Sequence, residues 1–167
     1  TRARQAKEDF PLVRVAENLT DFLAQDLDLV VIATANAAHC EHALAAISAG
    51  IPVVVEKPMG RTVSETLRIF DASEKSGVPV TAFYNRQWDS DSLTIKKVAA
   101  NGLIGKVFRM DSRFERYRPQ LNPTAWRENL TPEEGGGLLL DLQTHLLSTA
   151  LDCFGPADLT YASIRKI

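Results

Sequence analysis

Apolar positions follow one rhythm up to about residue 102 and a different one beyond it. In the first stretch, short β-branched runs alternate with helical segments. Residues 28–34, with Leu29, Val30, Val31 and Ile32 in unbroken succession, read as a buried strand, because strands of parallel sheets are usually covered on both faces. Residues 38–49 are alanine-rich and helical, and they stop at Gly50 in the C-terminal capping position. A second strand, residues 51–56, contains Val53, Val54 and Val55. Thr62 and Glu65 are spaced as a capping box, which opens a helix running to about Ser76 ahead of Gly77. Residues 78–83 form a third strand, and residues 90–100 a third helix ending near Asn101 and Gly102. Nearer the start, residues 1–9 are helix-compatible and residues 13–15 are a candidate short strand. Residues 18–24 make a small helix with Leu19, Phe22 and Leu23 on one face. Strands separated by helices of about ten to fifteen residues imply right-handed crossovers and a parallel sheet.

The second rhythm is less regular. Residues 106–117 read as a longer, more polar strand carrying Val107, Phe108, Met110, Phe114 and Tyr117. A loop rich in proline and asparagine, residues 118–134, leads through Gly135, Gly136 and Gly137 to an apolar helix over 138–154. Residues 159–164 are strand-like. The change of texture puts a domain boundary between 1–102 and 103–167.

Composition narrows the function without naming it. At 167 residues, 45% hydrophobic and 24% charged, the sequence suits one domain or one and a fraction of the ordinary globular kind. A net charge of −2 recommends neither nucleic acid nor an anionic membrane as a partner. The apolar runs at 29–33 and 51–55 are too short to span a bilayer, and no signal-peptide pattern precedes them. Cys40 and Cys153 are far apart and form no CxxC, so they read as buried thiols in a reducing cytosol.

The chemistry concentrates at two places. The second strand runs straight into Glu56-Lys57-Pro58, where turn residues are expected. The carboxyl ends of parallel strands open into the crevice that binds ligands, and a lysine there can hold a substrate oxygen or move a proton. A surface ion pair ahead of a turn-making proline is the plainer reading. On the helix after the three glycines, Asp141, Thr144, His145, Ser148 and Asp152 fall on one narrow stripe. Asp141 and His145 are four apart, so a carboxylate sits beside an imidazole, as a general acid/base requires. A solvated helix face with one polar pair is the alternative. Gln143 interrupts the apolar arc and needs a partner if buried, or else exposure near the helix end.

Weaker candidates surround these. Thr34-Ala35-Asn36 ends the first clear strand, where Asn36 either caps the following helix or meets a ligand. His39 and His42 have a spacing that could support a metal, but no third ligand of suitable spacing lies nearby, so no metal is expected. Trp126-Arg127 in the proline-flanked loop either clamps a ligand or packs the loop down.

Taken in order, these motifs resemble the Gfo/Idh/MocA family of nicotinamide-dependent oxidoreductases. The resemblance rests on residues 26–34 followed by Asn36 and His39, on Ala49-Gly50, on Glu56-Lys57-Pro58 and on Asn85-Arg86. It continues through residues 103–107, Trp126-Arg127, and the three glycines leading to Asp141 and His145. Roughly residues 9–160 are covered. The resemblance implies an α/β fold: the later part of a Rossmann-type doubly wound parallel sheet over 1–102. The start of an α+β substrate domain with an antiparallel sheet would follow over 103–167.

The resemblance also implies roles. Lys57, at a Lys-Pro peptide that is often cis in the family, would position or polarise the reacting hydroxyl. His145 would take its proton, with Asp141 orienting or assisting. Thr34, Ala35, Asn36, His39, Glu56, Lys57 and Pro58 would flank NAD or NADP, with Asn85, Arg86, Trp126 and Arg127 as further cofactor or substrate contacts. The substrate would be a sugar, an inositol or a related polyol. A cytoplasmic homo-oligomer, dimer or tetramer, would fit the family. A non-catalytic dinucleotide sensor or corepressor is the competing class, and an inactive fragment the third.

Two features depart from the family pattern. Gln143 stands where glycine is usual, and no GxGxxG occurs in these 167 residues. Together with an opening Thr1 and no large antiparallel sheet after the helix, this reads as an internal segment of a longer protein. The segment alone is expected to bind NAD(P) weakly and to self-associate through an exposed apolar strand edge.

Overall fold

A computed structural model describes residues 2–164 apart from 116, 118 and 121. The chain forms two compact units, Thr1–Phe83 and Tyr84–Ile167.

In the first unit, helices α1 (Arg2–Asp9) and α2 (Leu19–Leu23) precede a sheet of β1 (Val30–Ile32), β2 (Val53–Glu56) and β3 (Val80–Phe83). The strands lie in the order β1-β2-β3, all parallel, with Val30 opposite Val53 and Val53 opposite Val80. The connections are helices α3 (His39–Ser48) and α4 (Val63–Ser76). Val30, Ile32, Val53 and Val55 point to one face, where they meet Cys40, Ala43, Ala46 and Ile47 of α3 and Ile69 of α4. Alanines at 43 and 46 let α3 approach the sheet closely, and the β-branched strand residues fill the space between. Asn18 caps α2 by accepting from the Asp21 amide, and Gly77, at φ 71°, closes α4 in the left-handed conformation.

Several expectations meet a different outcome. Residues 28–34 are not covered on both faces: Val30 and Ile32 are buried, but Val31 between them is 61% exposed. Among the described residues the helices of the crossovers cover one face, so a continuous apolar run overstates the burial. The candidate strand at 13–15 does not form. Thr62 accepts from the Glu65 amide at 3.1 Å, but the Glu65 carboxylate turns back to the Arg61 amide at 2.7 Å. A complete capping box occurs instead at Thr131 and Glu134.

The second unit contains α5 (Ser90–Ala100), α6 (Trp126–Asn129) and α7 (Thr144–Phe154), which is preceded by a π-helical turn, Leu139–Gln143. The division between units falls at Phe83–Tyr84, ahead of α5, whereas the sequence rhythm carries the first unit to residue 102. Inside the second unit, α5 packs on α7 and Lys96 pairs with Asp152. Neither 106–117 nor 159–164 forms a strand among the described residues. A strand needs a neighbour to take its amides and carbonyls, and no such partner occurs among the described residues of this unit. Phe108, Tyr117, Leu159 and Tyr161 are accordingly exposed. No helix of the described residues is long and apolar enough to cross a membrane.

Candidate functional site

In the first unit the candidate residues gather at the carboxyl ends of two neighbouring parallel strands. β1 leads into Thr34 and Ala35, both exposed, and then into a 3₁₀ turn, Asn36–Ala38, that runs directly into α3. Asn36 lies buried inside that turn, so it is not the helix cap; the position before α3 is Ala38, without a side-chain cap bond. β2, the central strand, delivers Glu56, Lys57 and Pro58 one strand over. Glu56 curls back so that its carboxylate accepts from the Lys57 amide at 3.1 Å. Lys57 is half-buried, and the Lys57–Pro58 peptide is cis.

His39 ties the two loops together. Its ring is 1% exposed, with Nδ1 at 2.8 Å from the Pro58 carbonyl and Nε2 at 3.1 Å from the Thr34 carbonyl. Both ring nitrogens therefore face backbone oxygens. One turn along α3, His42 Nδ1 lies 3.4 Å from the Thr34 hydroxyl.

The loop after Pro58 is fixed by packing and charge. A Cβ on Gly60 would stand 2.8 Å from Glu65 Cβ and 2.9 Å from the Thr66 amide nitrogen. Arg61 donates to Glu65 from Nε at 3.0 Å and also from Nη2. That hydrogen bond holds the Glu65 carboxyl below its usual range against the opposing effect of burial, and it raises the arginine further. Sequence reasoning took Glu65 only as the capping partner of Thr62 and did not single out Arg61, four residues before it and so a neighbour of Glu65. A groove of about 430 Å³ runs along the open edge of β1, lined by Asn18, Phe22, Val31, Thr34 and His42 among others. Lys57 is not part of its lining.

In the second unit, the π turn carries Asp141 and Gln143, and the first turn of α7 carries His145. π turns concentrate at functional sites. Because hydrogen bonds there join residues five apart, the regular angular spacing used to draw the polar stripe does not run through Asp141. The stripe is only partly a solvated face, with Asp152 exposed and the rest covered to differing degrees. His145 is 8% exposed, Ser148 Oγ accepts from Gln87 Nε2 at 2.6 Å, and Asp152 pairs with Lys96. Gln143 is exposed, the second of its two expected states.

Arg127 reaches Asp141, Nε to Oδ1, at 3.2 Å, while its guanidinium stacks 4.5 Å from the Trp126 ring centre. The glycine run makes this possible. Gly137 donates to the Arg127 carbonyl at 2.8 Å and Gly136 to the Thr131 carbonyl at 2.8 Å. A Cβ on Gly136 would lie 2.2 Å from the Leu130 carbonyl oxygen. The glycines are thus a close-packed seam that joins α6 to the π turn. Arg86 pairs with Asp89 at 3.0 Å and stacks on Phe114 at 5.1 Å, and Asn85 is exposed beside it in the chain. Gln87 was not singled out by sequence reasoning; a glutamine in a short turn gives no periodic signal.

Both cysteines are thiols, Cys40 buried and Cys153 half-buried, and burial raises each above its ordinary value. Among the described residues no three metal-ligating side chains gather.

Residues 1–84 match the family described as "Oxidoreductase family, NAD-binding Rossmann fold", and residues 92–167 match the "GFO/IDH/MocA C-terminal domain". Among similar proteins, the Escherichia coli K12 protein named uncharacterized oxidoreductase YdgJ is 43% identical over 93% of this chain and 45% of its own length. The scyllo-inositol 2-dehydrogenase (NADP(+)) IolW of Bacillus subtilis is 35% identical over 93% of this chain and 43% of its own. The crystal structure of an NAD-binding protein from Listeria innocua superposes with a TM-score of 0.81 at 34% identity, covering 90% of this chain and 43% of that one. The chain therefore spans less than half the length of these relatives.

Proposed function

The chain belongs to the Gfo/Idh/MocA oxidoreductases, and from that premise we propose that it carries the cofactor ledge and proton-handling residues of an enzyme acting on a sugar, inositol or related polyol. The observation that carries this reading is Lys57. It stands half-buried at the carboxyl end of the central parallel strand, one strand from the exposed Thr34–Ala35 turn. Open α/β sheets bind dinucleotides along that edge. The exposed Thr34 and Ala35, backed by the buried His39, fit a flat nicotinamide nucleotide, with Asn36, Glu56 and Pro58 completing the ledge. Asn85, Arg86 and Trp126 are further contacts for cofactor or substrate in this reading.

When bound, nicotinamide supplies the acceptor or donor of hydride. The protein's residues do the rest. The Lys57 ammonium has three donors and no acceptor, so it can bind the reacting oxygen and polarise it in either direction of the reaction. His145, sheltered from water, takes the hydroxyl proton as a carbonyl forms and returns it in the reduction. Asp141 orients this step, and its carboxylate is itself oriented by Arg127. Similarity to the inositol dehydrogenase IolW supports a cyclic polyol among the candidates.

The test is a screen of inositols, sugars and glucosides with the full-length protein, following the absorbance of reduced nicotinamide with NAD and NADP separately. On a substrate found this way, Lys57→Met is expected to lower kcat by about 10²- to 10⁴-fold. Turnover equal to the parent would remove Lys57 from the chemistry, and binding of reduced cofactor without turnover of any polyol would favour a sensor.

A further inference from the structure

We infer that His39 is a positioning residue that anchors both the cofactor turn and the loop of Lys57, and that its two ring nitrogens divide these tasks. The inference rests on the reading above of Lys57 and of the Thr34–Asn36 turn. His39 is the first residue of α3 and lies among the most buried side chains of the first unit. Its neighbours in that core, Cys40 and Ala43, are apolar, so a polar ring there needs partners. It has two, from different loops. Nδ1 meets the carbonyl of Pro58, the residue directly after Lys57, and Nε2 meets the carbonyl of Thr34, the first residue of the cofactor turn.

Carbonyl oxygens only accept, so each contact is a hydrogen bond when its ring nitrogen carries an N–H. Thr34 and Pro58 follow two strands that pair in parallel, but their loops leave the sheet without strand hydrogen bonds to hold them. The imidazole replaces the missing rungs. Each loop is therefore held by its own nitrogen of one planar, buried ring. Thr34 is held a second time by His42, at 3.4 Å from its hydroxyl, so the turn is pinned at both its carbonyl and its side chain.

Two amide side chains separate the contacts. In His39→Asn, the amide nitrogen occupies the place of Nδ1 and keeps the Pro58 bond while giving up that to Thr34. In His39→Gln, the longer side chain puts its nitrogen near Nε2 and keeps the Thr34 bond while giving up that to Pro58. With the full-length protein, NADH and NADPH are titrated by fluorescence and kcat is measured on the substrate from the screen. His39→Asn is expected to weaken binding of the reduced cofactor about tenfold and to change kcat by less than about threefold. His39→Gln is expected to lower kcat about tenfold and to change cofactor affinity by less than about threefold. His39→Leu should lose in both. Melting temperatures of the two amide variants are measured alongside, because a purely structural histidine would lower both constants together with stability. Equal losses in both constants, or a lowered melting temperature with neither constant changed, would overturn the inference. Lys57→Met separates this from the reading beneath it. With that variant inactive and no opposite split, the inference about His39 falls alone. With that variant fully active, the reading of Lys57 falls and takes the inference with it.

Discussion

Lys57 hangs from the end of a strand that is paired on both sides, and one buried ring fixes the loop beyond it. Asp141 sits in a π turn whose course is set by a seam of glycines and by one arginine. The first arrangement is a regular scaffold with a local tie. In the second, backbone lies against backbone with little regular structure around it. The difference predicts where each unit is brittle. Away from Gly60, the first should have room for added atoms in its turns, as at Gly50 and Gly77, and respond to loss of polar ties. The second should fail when atoms are added at the seam.

The largest effect follows from two glycines. Gly136→Ala puts a methyl 2.2 Å from the Leu130 carbonyl oxygen, and a backbone atom held in the seam cannot give way cheaply. Overpacking of this kind costs about 1–3 kcal/mol, with the upper end expected here. Gly50→Ala meets no heavy atom within 4 Å, so its cost is that of φ at +77°, about 1 kcal/mol. Urea unfolding of the full-length protein compares the two. If Gly50→Ala proves the more costly, close approach does not shape the second unit.

A smaller effect on stability, but a visible one on rate, is expected at the arginine. Arg127→Gln leaves Asp141 without the contact at 3.2 Å and should lower kcat by about 10- to 100-fold through misplacement. Because Arg127 is exposed, unfolding free energy should move by less than about 1 kcal/mol. A large loss of stability with unchanged kcat would make Arg127 a structural strut, and the two units would then be held alike.

The same contrast explains what the sequence made legible. β2, α4 and α5 follow from β-branched runs, from Thr62 and Gly77, and from helical spacing, because each is encoded by residues next to one another. Lys57 was legible for the same reason, as a charged residue at a strand end. The family pattern brought Asp141 and His145 forward together. The π turn was not legible, since its cause is distributed: Gly136 against Leu130, Gly137 against Arg127, and Arg127 against Asp141 are contacts between residues that periodicity does not relate. The polar stripe misled in part as a solvated face for the same reason. Gln87 and Lys96, which meet it, lie some sixty residues away along the chain. His39 stood in the motif as a cofactor neighbour, but which way its ring faces depends on Pro58, on a different loop.

The smallest effect concerns acid, and it probes the first unit alone. The Arg61 side chain holds the Glu65 carboxyl below its usual range in the folded protein. The unfolded chain, lacking that hydrogen bond, protonates Glu65 near the ordinary value of about 4.3. Above that value the charged pair contributes its full stabilisation. As pH falls below it, the unfolded state takes up the proton first, and the contribution is lost until the folded carboxyl is protonated as well. Both side chains keep some contact with water, so the contribution is about 1 kcal/mol or less. Glu65→Gln should therefore narrow the gap to the parent as pH drops through the region around 4, with the two proteins converging at lower pH. Amide hydrogen exchange at residues 59–66 should report the same loss locally, because Glu65 also takes the Arg61 amide that fixes the loop after Lys57. Parallel stability curves across that range would mean that packing at Gly60, and not charge, holds this loop, which would make the first unit's turn as dependent on close approach as the glycine seam of the second.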